Sequence, residues 1–341
     1  MKKYLLFFLL VAFHIVVKAQ TDKTPFTTKS LSNESIKDVE VETSGGSIAV
    51  SGVTTNARVE VYITSNNNKQ LTKEEIQQRL DEKYNLNISV ANNKVTATAR
   101  LKEKMTDWKK ALNISFKVFV PRNVSTDLST SGGSISLTNL SGNLKFSTSG
   151  GSLDLDNVGG NVDVRTSGGS INLENSKDDI ELTTSGGSID AKNCDGKLRL
   201  STSGGSLDLK DLKGDIRATT SGGSIHGSDV EGELITHTSG GSIHLSDLSC
   251  SLETSTSGGN IDVSIKQLGK YIKISNSAGN VDVTLPNKGL DLDLSASKIK
   301  TGQLSNFSGK VDDEEINGKL NGGGVPVRID AGSGKISLSL R

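Results

Sequence analysis

The chain repeats itself every 18 residues. Ser-Gly-Gly recurs with its first glycine at Gly132, Gly150, Gly168, Gly186, Gly204, Gly222, Gly240 and Gly258, eight copies without an insertion. Such a fixed register narrows the folds available. A meander of hairpins tolerates loops of changing length, whereas a stack in which each unit pairs its backbone with the next resists an insertion inside a unit. Within each unit the apolar residues alternate: Ile135 and Leu137, then Leu144 and Phe146, and in the next copy Leu153 and Leu155, then Val162 and Val164. Period-2 alternation marks a strand with one buried face. A unit of 18 residues cannot bury that face alone, but stacked units can. The expected fold is therefore all-β, a single β-solenoid (β-helix) with 18-residue coils running strictly over about residues 130–264. At about 4.8 Å per coil, eight coils span roughly 38 Å.

Both ends of each unit carry turn residues. Gly-Gly punctuates one end, and Asn or Asp with Gly the other, as in Asn157-Val158-Gly159-Gly160. The eight glycines at Gly132 to Gly258 are expected to form the structural corners by adopting positive φ. Stacking places equal offsets on top of one another. Thr148, Thr166, Thr184, Thr202, Thr220, Thr238 and Thr256 make one ladder, whose parity with Val162 and Val164 turns it inward. Asn139, Asn157, Asn175 and Asn193, continued by Asp211, Asp229 and Asp247, make a second ladder at a corner, where stacked amides bond to one another.

The pattern loosens towards both ends. Ser277-Ala278-Gly279-Asn280-Val281 is the next corner, Ser297-Lys298-Ile299 a weaker one, and Gly302 to Leu320 is variable. A last corner follows at Gly332-Ser333-Gly334-Lys335-Ile336. No cap is visible after it, which leaves end-to-end self-association open. Upstream, Thr43-Ser44-Gly45-Gly46-Ser47-Ile48 is a lone early copy of the corner. Between it and Gly132 lie strand-like runs at Ala57 to Ile63, Leu86 to Val90, Lys94 to Leu101 and Leu112 to Val120. Thr72, with Glu75 three residues on, predicts a capping box and one short helix over about 73–84. Asn92-Asn93 suits a hairpin turn. Residues 20–128 thus read as a β-rich region holding the first coil and a cap, and 129–341 as the solenoid proper.

Residues 1–19 read as an address. Lys2 and Lys3 precede an apolar run from Tyr4 to Val17, and Val17-Lys18-Ala19 offers a small residue for cleavage. About 14 apolar residues cannot cross a bilayer core that needs about 20, so this is a secretory signal peptide and not a transmembrane segment. No cysteine follows to accept a lipid. The product is expected to be exported, to the periplasm, the cell surface or the medium.

Chemistry is sparse. Lys plus Arg and Asp plus Glu both number 39, which excludes a nucleic-acid partner bound through surplus positive charge. Aromatic residues make up only 4%, too few for stacking platforms on sugars or bases. Cys194 and Cys250 fall three coils apart, about 14 Å along the stack. A disulfide needs Cα atoms within about 7 Å, so two free thiols are expected, with an intermolecular bridge through Cys250 as the alternative. His226 and His244 share one outward offset in adjacent coils with Asp154, Asn172, Asp190, Asp208 and Asp262. A solvated polar face explains that column. Its candidate metal ligands are Asp190, Asp208, His226, His244 and Asp262, two of which a divalent cation could bridge. The acidic pairs Asp178-Asp179 and the run at Asp312 read as solvated loops and not as paired catalytic acids. No triad, phosphate loop or cofactor motif is found, and no enzyme activity or cofactor is expected.

The Ser-Gly-Gly-Ser-Ile-x-Leu repeats, the lone copy at Ser44, the Val120-Pro121 strand end before the repeats, and the closing Asn-Gly-Gly-Gly…Gly-Ser-Gly-Lys-Ile-Ser-Leu resemble the bacterial putative-adhesin family of β-strand repeats, over about residues 36–341. The resemblance implies a domain of unknown function with an adhesin role and carries no catalytic residues. The favoured function is an exported, non-enzymatic adhesin or cell-envelope structural protein that contacts an unknown macromolecule. The alternative is a periplasmic or surface module that binds a divalent cation or a glycan through the Asp/His column. An ice-binding face is set aside because the regular Thr column points inward.

Overall fold

The computed structural model describes residues 24–67, 70–104 and 110–341, so the signal-peptide reading lies outside the described residues. These residues form an all-β, solenoid-like stack with one helix. Through the repeats the strands pair in parallel at a constant offset. Leu144 pairs with Val162, Val162 with Ile180, Ile180 with Leu198, and Leu198 with Ile216. Asn157 likewise meets Asn139 at a separation of 18 residues. Burial alternates along each strand as the sequence alternates, so the apolar columns fill one continuous core. No helix among the described residues is long and apolar enough to cross a membrane.

The corners are built differently from the expectation. The Ser-Gly-Gly glycines are not in the positive-φ region. Left-handed backbone instead falls to the other corner, where Asn139, Asn157, Asn175, Asn193, Asp211, Asp229 and Asp247 have φ between 52° and 58°. Asn and Asp tolerate that conformation better than other side chains. At the Ser-Gly-Gly corner the constraint is space. A Cβ on the second glycine of the pair, such as Gly169, would lie 1.9 Å from the carbonyl oxygen of Gly151 in the preceding repeat. A Cβ on the first glycine, Gly168, would meet nothing closer than 3.6 Å.

The inward threonines complete that corner. Thr166 Oγ1 donates to Gly151 O at 2.9 Å and accepts from Gly169 N–H at 3.3 Å. The same two bonds recur at Thr148, Thr184, Thr202, Thr220 and Thr238. All are buried. A buried hydroxyl is stable only when paired, and here one hydroxyl serves a carbonyl and an amide that the turn leaves without a strand partner.

The lone early corner belongs to the same stack. Asp38–Thr43 and Ile48–Gly52 pair in parallel with Ser125–Thr130 and Ile135–Thr138. Their other edges pair in parallel with Lys94–Leu101 and Leu112–Val120. Beyond these the pairing turns antiparallel: Tyr84–Ala91 runs against Lys94–Leu101, Arg58–Ser65 against Leu112–Val120, and Thr27–Ser30 against Arg58–Ser65. Asn92 and Asn93, with φ of 51° and 64°, form the hairpin turn. The helix Lys73–Lys83 has Thr72 as its N-cap, with the reciprocal bonds to Glu75 in place. It buries Leu80, and at its end the Tyr84 hydroxyl accepts from Leu112 N–H at 2.9 Å.

The far end corrects the uncapped reading. After Val281–Leu285 the chain lays down Leu290–Ser295 and Lys298–Thr301, then a hairpin of Phe307–Val311 and Glu315–Leu320. Only then come the closing strands Val325–Asp330 and Lys335–Leu340. These insert between strands already passed. Val325–Asp330 pairs in parallel with both Ile272–Asn276 and Leu290–Ser295, and Lys335–Leu340 with both Val281–Leu285 and Lys298–Thr301. Leu290–Ser295 is finished on its outer side by the antiparallel strand Glu315–Leu320. The chain terminus is therefore interior to the stack, and the antiparallel hairpin covers most of the edge that a last coil would expose.

Candidate functional site

Strand alternation sends every second side chain outward, and the fixed register turns each outward offset into a ladder. One ladder carries the candidate ligands. Asp190 pairs with Asp208, Asp208 with His226, His226 with His244, and His244 with Asp262. The structure thus brings all five into one line. Asp154 and Asn172 extend it, joined by Asn172 Nδ2 donating to Asp154 Oδ1 at 2.7 Å.

The ladder divides into two chemistries. At one end Asp190 and Asp208 face each other. Partial burial and the neighbouring carboxylate of Asp208 hold the pKa of Asp190 above its usual value. At the other end the rings of His226 and His244 stack, with centroids 5.4 Å apart and planes 11° from parallel. His244 Nδ1 lies 2.7 Å from Asp262 Oδ2. Among the described residues no group of three or more His, Cys, Asp or Glu side chains is placed to hold a metal ion together.

Beside the carboxylate end runs a shallow groove. Its walls include Asp154, Asp156, Glu174, Asp190, Lys192 and Asp208. Lys192 and Lys210 are register neighbours on the strands that carry Asp190 and Asp208, so the groove is acidic at one end and mixed in charge at the other.

The remaining candidates are structural. Cys194 and Cys250 are free and buried. Burial pushes the Cys194 thiol up to about 11 and the Cys250 thiol to about 12, so neither is a thiolate at neutral pH. Asp178, at φ 80°, stands in the column of Gly142, Gly160 and Gly196, and its Oδ2 accepts from Gly160 N–H at 2.8 Å. Asp179 pairs with Arg199 at 3.4 Å. Asp312 sits in the turn of the C-terminal hairpin, where Lys310 and the amides of Glu314 and Glu315 hold its carboxyl below the usual range.

The first glycines of the corners, singled out from the sequence, lie in bends without positive φ. The residues that the corner cannot replace are the second glycines and the threonines three positions before them. Their signal was present: the threonine is as regular as the glycines, and a hydroxyl three residues before a turn amide is a known local pairing.

Residues 195–339 match the family model described as Toastrack DUF4097. No curated protein matches the chain. Solved structures similar to it include a putative cell adhesion protein from Clostridium sporogenes ATCC 15579, at 11% identity and TM-score 0.20, covering 92% of this chain and 98% of that one. A putative adhesin from Bacteroides fragilis NCTC 9343 has 11% identity, TM-score 0.26 and coverage of 92% and 96%. A putative lipid binding protein from Parabacteroides distasonis ATCC 8503 has 13% identity, TM-score 0.32 and coverage of 93% and 97%.

Proposed function

We propose that the chain, whose residues 195–339 match the Toastrack DUF4097 family model, is an exported, non-enzymatic β-solenoid acting as an adhesin or a cell-envelope structural and interaction protein. In this reading the 18-residue repeat is one coil, residues 129–341 are the solenoid, and 20–128 supply its first coil and cap. Residues 1–19 direct export.

The observation that carries the reading is the register. Because equal offsets stack, the outward side chains stand in straight rows at a fixed spacing, one of them running Asp190, Asp208, His226 and His244. Several weak contacts on one rigid body raise the effective concentration of each further contact, so a surface of modest individual contacts binds an extended partner. The acidic side chains that most resemble catalytic pairs are tied to backbone amides or to Arg199 and Lys310 instead. That supports a role without catalysis.

The test is access to protease and antibody on intact cells against lysed cells. Cleavage on intact cells is the expected result. Protection until lysis overturns the adhesin role and leaves an internal envelope role. A mature protein that retains residues 1–19 by mass overturns export altogether.

A further inference from the structure

We infer that His226 and His244 form a binding site for a first-row transition-metal dication, oriented by Asp262. The inference goes beyond the adhesin reading and does not depend on it.

Three observations converge. The two histidines are direct register partners on adjacent parallel strands, with ring centroids 5.4 Å apart. Their side chains are solvent-accessible, with that of His244 46% exposed, so rotation about the side-chain bonds can bring both rings to one ion without moving the backbone. Asp262 Oδ2 sits 2.7 Å from Nδ1 of His244. A carboxylate there takes the Nδ1 proton as its hydrogen-bond partner and leaves Nε2 with its lone pair free. This is how carboxylates orient and strengthen metal-binding imidazoles.

The surroundings favour a cation. Asp208 and Asp262 bracket the pair along the ladder. The neighbouring outward positions on the same strands are Ser224 and Ser228 beside His226, and Ser242 and Ser246 beside His244. These are small and uncharged, so they neither block an ion nor repel it. Lys210 stands diagonal to His226 on the strand that carries Asp208, and Asp208 is the direct partner of His226.

The ligand type selects the metal. Imidazole nitrogen suits Cu2+, Ni2+ and Zn2+, whereas Ca2+ and Mg2+ require oxygen ligands. Two protein nitrogens leave coordination positions for water, which sets the site apart from closed structural zinc sites with four protein ligands. The carboxylate end of the same ladder lacks any nitrogen donor and is outside the proposal.

Isothermal titration of the full mature chain with Zn2+ and with Cu2+ tests the site. The expected result is one ion per chain, with affinity lowered at least tenfold in His226→Ala and in His244→Ala, and lowered less in Asp262→Asn. His237→Ala, which removes the histidine lying elsewhere on the strand, should leave binding unchanged. All four positions are partly or wholly exposed, and thermal melts of the metal-free variants should match the parent. Absence of Zn2+ and Cu2+ binding in the parent overturns the proposal, as does binding that survives loss of both histidines. A Ca2+ titration should give no heat; binding of Ca2+ that competes with Zn2+ also overturns it.

Discussion

Val281 takes Ile336 as its parallel partner, although the two are 55 residues apart in the chain. Ile336 in turn pairs with Ile299 on its other side, so the last strands of the chain lie inside the stack. Removing residues 325–341 should therefore strip Leu290–Ser295 and Lys298–Thr301 of their parallel partners while leaving the strict repeats paired. Hydrogen exchange on the truncated protein is expected to show lost protection across 290–320 and retained protection across 144–252. Uniform protection of both regions would falsify the interleaved order.

The two glycines of one corner should respond oppositely to alanine. A methyl on Gly169 would overlap the carbonyl oxygen of Gly151 at 1.9 Å, and neither backbone can retreat without breaking its ladder. Gly169→Ala is expected to cost more than about 4 kcal/mol or to prevent folding, the range of a severe core lesion. Gly168→Ala meets only ordinary contacts and should stay within about 0.5 kcal/mol of the parent. Urea melts of the pair distinguish the two residues.

Thr184 should be hard to replace by its apolar isostere. Its Oγ1 donates to Gly169 O at 2.8 Å and accepts from Gly187 N–H at 3.3 Å. Thr184→Val strands both groups and is expected to cost about 1–3 kcal/mol. Thr184→Ser keeps the hydroxyl and loses one buried methyl, about 0.8 kcal/mol. A larger loss for serine than for valine in thermal melts would show that the methyl, not the hydroxyl, holds the corner.

Thr126 is the opposite case. It is 4% exposed and stands in an apolar column between Val39 and Leu144. Its Oγ1 is buried without a hydrogen-bond partner. Thr126→Val removes the unpaired hydroxyl at constant shape and should stabilise by about 1 kcal/mol. A lower melting temperature for this variant would show that the hydroxyl is satisfied after all.

The Asp190 and Asp208 pair works against folding at neutral pH. Asp190 has a raised pKa from burial and from its neighbour's charge. A carboxyl raised on folding binds its proton more tightly in the native state. Its contribution is fully present below about pH 3.9, the unfolded value, and is lost as pH rises through the folded value. Asp190→Asn should thus stabilise at pH 7 by about 0.2–1 kcal/mol, the scale of a cross-strand like-charge contact. Near pH 3.5 the gain should vanish. Equal gains at both pH values would exclude charge as the cause.

Much of this architecture was legible in the sequence. Fixed spacing carried the stacking, period-2 alternation carried the strands, and Thr72 with Glu75 carried the helix start. Two features were not. The role of each corner glycine depends on a carbonyl from the preceding repeat, and local propensity holds no information about that neighbour. Positive φ falls at the other corner, on Asn157 and its equivalents and on Gly160 and its equivalents, and not on the Ser-Gly-Gly glycines. The interleaving of the closing strands was hidden because its offsets follow no period. Asn280 bonds Lys335 N–H across 55 residues, whereas Arg328 reaches Asp293 across 35. A signal did exist. The corner at Gly332-Ser333-Gly334 echoes the one at Ser277-Ala278-Gly279, and like corners stack. Within the candidate site, the line of Asp and His side chains followed from spacing alone, whereas ring stacking and the Asp262 contact depend on rotamers that spacing does not encode.

Antiparallel strands close the stack at its beginning and, through Glu315–Leu320, at its end, while every repeat between them presents matching edges above and below. Copy number is thereby uncoupled from termination. Duplicating or deleting one whole 18-residue unit between Leu144 and Leu252 leaves both terminators facing the partners they already have. Adding or removing one unit would then change the length of the stack by about 4.8 Å without redesigning either end.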